Sequence, residues 1–362
     1  MPSPCIVFFD CEIASDSGAV LDIGACATDR TVFHSADRAA FRAYTGRADY
    51  LCGHNVTEHD LKYVGEDVRH VPVIDTLFLS ALLFPQNQFH RLLKNEKLRC
   101  DELNNPVSDA KKAAQLFERE LEAFRALEPD VQAVFAGLLS SHPAFRGFFL
   151  YLGLKPAAEP IVGIIRRHFS GRLCSHADLE DLVQNRPLEL AFSLALIRID
   201  DLHSVVPAWV QRRFPGVDEV MSVLRTTPCS TGCSWCRRMN VAEGLKRWFG
   251  FKDFRCYAGE PLQEMAAKAA VGERSLLAVF PTGGGKSLTF QLPALMAGEA
   301  VRGLTVVISP LQSLMKDQVD HLTDAGIDSA FTVNGLLSPI ERADSLNAVA
   351  DGRASILYLS PE

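Results

Sequence analysis

The 362 residues suffice for two or three domains, each with its own core; 48% are hydrophobic and 22% charged, an ordinary balance for a globular protein. No apolar run approaches the ~20 residues of a membrane span, and a net charge of −7 excludes a chain that wraps nucleic acid over its whole surface. The start, Met1-Pro-Ser-Pro-Cys-Ile-Val-Phe-Phe9, lacks the basic head and cleavage site of a secretory leader. The expected compartment is therefore cytoplasmic, with the ten cysteines as free thiols and metal ligands rather than disulfides.

Cys5-Ile-Val-Phe-Phe-Asp-Cys-Glu-Ile13 reads as an apolar strand ending in Asp10-x-Glu12. Alternation puts both carboxylates on one side of the strand, where they can share divalent cations. Further strands are predicted at residues 19–27 and 31–34. Asp49-Tyr-Leu-Cys-Gly-His-Asn-Val-Thr-Glu-His-Asp60 then gives a strand, a Gly-His-Asn turn and an acid at a helix start. Val73-Ile-Asp-Thr-Leu77 and Leu82-Leu-Phe-Pro85 follow, and a helix begins near Ser108 with Asp109 in its first turn. Cys5, Cys11, Cys26 and Cys52 sit in apolar strand contexts and are expected in the core.

Four separated acids on this β-β-β-α-β-α scaffold resemble the DEDD family of 3′→5′ exonucleases over residues 4–127, with Asp10, Glu12, Asp60 and Asp109 in the family's positions. The resemblance implies a ribonuclease-H-like fold and two Mg²⁺ or Mn²⁺ ions, one activating water and the other stabilising the leaving 3′-oxygen. The family carries either His five residues before the last acid or Tyr four before it. Here those positions hold Asn104 and Asn105, and Asn is no general base near neutral pH. A slow exonuclease and a DNA-end clamp that does not cut both remain open, and nothing distinguishes DNA from RNA by sugar type. His54 and His59 are expected to be structural.

Residues 128–244 read as mostly helical, with apolar spacing at 131–139, 145–152 and 188–199 and a Pro-flanked hinge at 155–160. Cys229-Ser-Thr-Gly-Cys-Ser-Trp-Cys236 places three thiols on a turn from which they can converge on one metal centre. Cys174 is the preferred fourth ligand, with His176 and Cys256 as competitors, and an all-thiolate set favours a 4Fe–4S cluster over Zn²⁺. Residues 205–256 hold nine Lys/Arg against four Asp/Glu, a basic stretch suited to phosphate contacts.

Leu276-Leu-Ala-Val-Phe280 is predicted as a short buried strand and Leu288-Thr-Phe-Gln-Leu-Pro-Ala-Leu295 as a helix start; between them lies Pro281-Thr-Gly-Gly-Gly-Lys-Ser287. In that setting the backbone N–H groups of Thr282, Gly283, Gly284 and Gly285 wrap a phosphate, and the helix dipole adds positive potential. Lys286 would reach the β- and γ-phosphates of ATP, and the Ser287 hydroxyl would help hold Mg²⁺. Leu304-Thr-Val-Val-Ile-Ser-Pro310 and Ser355-Ile-Leu-Tyr-Leu-Ser-Pro-Glu362 read as further strands, with a helix after Leu311.

These pieces, in this order, resemble the RecQ branch of superfamily-two DNA helicases over residues 245–362. Trp248-Phe-Gly-Phe-Lys-Asp-Phe-Arg255 with Pro261-Leu-Gln263 is similar to that family's adenine-recognition segment, so Arg255 would stack on adenine and Gln263 would read its edge. The family continues with an Asp-Glu-x-His strand end and a second RecA-like domain. The chain is therefore expected to be the N-terminal part of a larger protein, binding nucleotide with little turnover on its own. The expected organisation is an α/β multidomain protein: an exonuclease-like domain at 1–127, a helical cysteine-bearing domain at 128–244 and the start of a RecA-like domain at 245–362. Its partners would be single-stranded DNA and 3′ ends, with a role in repair or recombination and no membrane attachment; the competing class is a non-catalytic module that binds DNA ends or a partner protein.

Overall fold

In β1 (Ile6–Ile13), alternation decides what faces where. Val7, Phe9 and Cys11 are buried together with Phe41 of α1 (Arg38–Thr45), the Phe9 and Phe41 rings 5.4 Å apart, whereas Phe8 meets Phe117 of a later helix at 5.9 Å. Asp10 and Glu12 share the Phe8 side. The structure is a computed structural model and describes residues 4–64, 68, 71–90, 92, 105–154, 159–199 and 206–361; Asn104 and residues 155–158 of the predicted hinge lie outside these. The chain divides into two compact units, residues 1–85, 89–168 and 180–195 in the first, and 86–88, 169–179 and 196–362 in the second.

The first unit is built on a five-stranded mixed sheet ordered β3-β2-β1-β4-β5. β2 (Val20–Ala27) pairs antiparallel with β1 and with β3 (Val32–His34), while β4 (Tyr50–Gly53) runs parallel to β1 and to β5 (Val73–Asp75). The short α2 (Thr76–Leu83) follows β5 directly because Asp75 caps it, accepting from the Leu77 N–H. The long α3 (Pro106–Arg125) lies over β1 and β2. Gly24 of β2 permits this approach, since any side chain there would collide with the backbone of Pro106 and Val107. α4 (Pro129–Leu139), α5 (Pro143–Leu152) and α6 (Ile161–His168) complete the layer, the first two beginning with Pro at a position where its missing N–H leaves nothing unpaired. α7 (Leu179–Asn185) and α8 (Pro187–Arg198) belong mostly to this unit.

The second unit opens with the helices α9 (Ala208–Arg213), α10 (Gly216–Arg225), α11 (Ser234–Arg238), α12 (Val241–Phe249) and α13 (Leu262–Val271). α14 (Leu288–Val301) precedes β6 (Thr305–Ile308), α15 (Gln312–Asp324), β7 (Ala330–Val333), α16 (Pro339–Ala350) and β8 (Ile356–Leu359). The strands form a parallel sheet ordered β6-β8-β7, as helical crossovers require. Gln291 of α14 ties the layers together by donating to Gln318 of α15 and to the Tyr358 hydroxyl of β8. The strand expected at 276–280 does not form: among the described residues this run has no ladder partner, and Leu277 is 90% exposed. An extended run becomes a strand only when a neighbour takes its N–H and C=O groups. No helix among the described residues is long and apolar enough to cross a membrane.

Candidate functional site

Three predicted acids converge. Oxygens of Asp10, Glu12 and Asp109 lie within 4.8 Å of one another, the first two carried by β1 and the third by the first turn of α3. Lys112, one turn along, pairs with Asp109 at 3.0 Å. Asp60 is not a member of this cluster but is tied beneath it: it is 2% exposed, and the N–H of Cys11, between the two β1 acids, donates to its Oδ1 at 2.9 Å. The His59 Nδ1 stands 3.6 Å from the same oxygen.

Asn105 has another task. It caps α3, its side-chain oxygen accepting from the N–H groups of Val107 at 3.1 Å and Ser108 at 3.2 Å. His54 is half-buried against the Thr76 hydroxyl at 3.0 Å, and loss of solvent pushes its pKa down to about 4, so it is a neutral imidazole held in the loop. Asp75 organises the same loop. Fully buried, it accepts from the N–H groups of Asn55 and Thr57 and from the Thr57 hydroxyl, which holds the Gly-His-Asn turn against α2. The visible signal was an acid directly before a helix-forming apolar run.

The phosphate loop joins residues 280–287 to α14. Gly283 and Gly285 adopt φ of 75° and 69°, which side chains disfavour, and the Ser287 hydroxyl makes no capping bond. Lys286 Nζ donates to the Phe280 carbonyl at 3.3 Å. Arg255 and Gln263 lie at this loop: Arg255 donates to the Gly283 carbonyl at 2.9 Å and Gln263 to that of Gly285 at 3.0 Å, while the Gln263 oxygen accepts from the Arg255 N–H. A third residue, Tyr257, donates its hydroxyl to the Gly284 carbonyl and packs on Phe280, ring centroids 5.1 Å apart. It is presented by a tight turn in which Ala258 and Gly259 both have positive φ. Three consecutive carbonyls are thus held from one segment; Tyr-Ala-Gly-Glu was the turn signal that could have pointed to Tyr257.

The cysteines also meet. Ligand atoms of Cys174, His176, Cys229 and Cys233 lie within 4.8 Å of one another. Cys236 is not one of these four but stands beside them, its sulfur accepting from the Cys229 N–H at 3.4 Å. Cys174 reaches this motif because its N–H donates to the Leu224 carbonyl at the end of α10. Cys256 is exposed and does not belong to the group. The N–H of Cys233 and the Thr231 hydroxyl lower the Cys229 thiol to about 5, whereas burial raises Cys236 to about 12. Against its burial, hydrogen bonds also lower the Cys233 thiol, to about 7, so Cys229 and part of Cys233 are thiolate at neutral pH, and a metal would have to displace a proton from Cys236.

Burial raises the Asp60 carboxyl to about 6, whereas an Asp in an unfolded chain titrates near ~3.9. Between these values the folded state keeps a proton the unfolded state has lost, so this group's contribution to stability falls as pH rises from about 4 to about 6. His54 and His90, both lowered to about 4 by burial, act in the opposite sense as pH rises towards ~6.5. The Asp60 effect is therefore read against Asp60→Asn. Without divalent cations, the stability of the unchanged protein minus that of the variant, from urea unfolding, should fall by on the order of 2 kcal/mol between pH ~4 and ~6. A difference independent of pH would show that Asp60 ionises normally.

Residues 260–362 match the family of DEAD/DEAH box helicases. The chain is 40% identical over 118 residues to the ATP-dependent DNA helicase RecQ of Bacillus subtilis, covering 33% of this chain and 18% of that protein. It is 40% identical over 129 residues to the rat ATP-dependent DNA helicase Q5, covering 35% and 12% respectively. With the fission-yeast ATP-dependent DNA helicase hus2/rqh1 the similarity is 33% over 189 residues, 51% of this chain and 14% of that one. The matched region spans less than a fifth of each of these relatives. The region similar to the DEAD/DEAH box helicases and to these RecQ-named proteins is therefore residues 260–362, which contain the phosphate loop.

Proposed function

We propose that the chain is the nucleotide-binding part of an ATP-dependent RecQ-like DNA helicase joined to a DEDD-type 3′→5′ exonuclease unit with a ribonuclease-H-like fold, acting in DNA repair or recombination. The observation that carries the nucleotide reading is the loop at 281–287, where glycines with positive φ, an exposed lysine and an uncommitted serine hydroxyl lead into α14. Arg255, Tyr257 and Gln263 hold its carbonyls outward, which leaves N–H groups for phosphate oxygens. Arg255 and Gln263 would then exchange carbonyl partners for adenine. Mg²⁺, when bound, neutralises phosphate charge. The chain should bind Mg-ADP, and Lys286→Ala should weaken binding about 10–100-fold, the worth of one charge-assisted bond. Titration with a fluorescent ADP measures this; an unchanged affinity would remove the loop from the site.

The exonuclease reading rests on the convergence of Asp10, Glu12 and Asp109. A cluster of carboxylates fits divalent cations, and two such ions supply charge to the attacking water and the leaving oxygen. Asp60 holds the β1 acids from below through Cys11. With Asn105 occupied as a cap, no base is evident among the described residues, so single-stranded DNA should be shortened from its 3′ end slowly in Mn²⁺, and Asp109→Asn should abolish it. If the unchanged chain grips 3′ ends without shortening them, the unit is a DNA-end clamp, the reading that the Asn105 cap favours.

The cysteine group fits a metal centre, with Cys174, Cys229, Cys233 and Cys236 as thiolate ligands to a 4Fe–4S cluster. His176 lies within the same sphere and favours zinc as the second reading, with three thiolates and one imidazole. Anaerobically purified protein should be brown and contain iron, and Cys233→Ser should bleach it and lower its melting temperature. Colourless protein with stoichiometric zinc would overturn the cluster and keep the site.

A further inference from the structure

The five residues of α11 do two things at once. Cys236 points to the cysteine group, whereas Arg237 and Arg238 are exposed beside it. Trp235, just before them, anchors the helix, its ring buried and its indole N–H donating to the Arg225 carbonyl at 2.8 Å. Next to this helix lies a cavity of about 960 Å³, lined among others by Gly171, Cys229, Cys236, Arg237, Arg238 and Arg247. Glu299, near the end of α14, pairs with both Arg238 and Arg247 at 2.7 Å, and Lys246 pairs with Glu243 at 3.1 Å. Arg237 has no carboxylate partner among the described residues. Arg237, Arg238 and Arg247 line this cavity with one acid, Glu243, so excess positive charge sits at a concave wall.

We propose that this groove binds the sugar–phosphate backbone of single-stranded nucleic acid. Guanidinium groups suit phosphate because their planar N–H forks match its oxygens, and Glu299 preorganises two of them before any ligand arrives. At about 960 Å³ the cavity lies at the upper end of the size range of small-molecule sites and has room for a few units of a single strand. Its walls mix apolar surface with three arginines, and the nearby Trp235 is buried and so cannot stack on a base; the charged contacts therefore go to the backbone and carry no base sequence. The groove is also placed to act with the phosphate loop. α14 starts at that loop and ends at Glu299–Val301, a rigid span of about 20 Å. The inference rests on the nucleic-acid reading above but concerns a separate surface.

The test uses the full chain, a fluorescein-labelled oligothymidylate and fluorescence anisotropy over a range of salt concentrations. Arg237→Glu should weaken binding about tenfold or more and reduce the slope of log affinity against log salt by about one, whereas Arg237→Lys should keep the slope. Arg237 is exposed, so both variants should retain the unchanged melting temperature and ADP affinity. If the unchanged chain binds the oligonucleotide and Arg237→Glu matches it in affinity and slope, the groove is wrong while the DNA reading stands. If a blunt duplex binds equally well with the same dependence on Arg237, the single-strand assignment is wrong. If the unchanged chain binds no DNA, both the groove and the DNA reading fail.

Discussion

Arg225 is the residue on which the second unit depends. A helix ends with carbonyls that have no partner in the helix itself, and a helix of 14 residues that starts at a phosphate loop must end somewhere buried. Arg225 meets that need by donating through Nη1 to the carbonyls of Glu299 and Ala300, and its Nε–H goes to the carbonyl of Arg172. Its guanidinium lies 4.2 Å above the Trp235 ring, a cation–π contact in a buried setting, while its own carbonyl accepts from that indole. One side chain therefore fixes the far end of α14, the turn before Cys174 and the helix that carries Cys236. Removing it would leave buried carbonyls unpaired, which costs about 1–3 kcal/mol each, beyond the lost contacts.

The first unit has a comparable centre in Asp75. Taking a carboxyl out of water is unfavourable unless its oxygens are well served, and burial raises its pKa. Asp75 receives bonds from Asn55, Thr57 and Leu77, so the strand end, the Gly-His-Asn turn and α2 are locked to one point. From that turn the chain runs to Asp60, which is held under the acids of β1. The three converging carboxylates are close together because the backbone around them is over-determined, with Gly24 letting α3 approach from above.

The two units spend polar groups differently. In the nucleotide loop, the side chains of Arg255, Tyr257 and Gln263 are satisfied by backbone carbonyls that a bound nucleotide does not need. In the carboxylate cluster, like charges face one another, an arrangement that is unfavourable without cations. The first site is preorganised by hydrogen bonds and the second by strand and helix packing. Binding at the carboxylates should therefore affect folding stability more than binding at the loop.

Much of this was legible from residue order. Period-2 alternation placed Asp10 and Glu12 on one side of β1, and the glycine pattern marked the phosphate loop, because both depend on local backbone geometry. The strand expected at 276–280 was not, since a strand exists only where a neighbour completes its ladder, and apolar composition carries no information about that neighbour. Asn105 could be read in the sequence as a missing base, but its occupation as a helix cap depends on where α3 begins. The cysteine spacing foretold a convergent group, yet that Cys174 and His176 both reach it was decided by the hydrogen bond from Cys174 to Leu224 and the fold of α10. The turn at Tyr257 and the basic stretch around Arg237 are visible in residue order, but their partners were set by tertiary structure: each joins residues distant in sequence, and only packing determines which carbonyl or carboxylate a side chain finds.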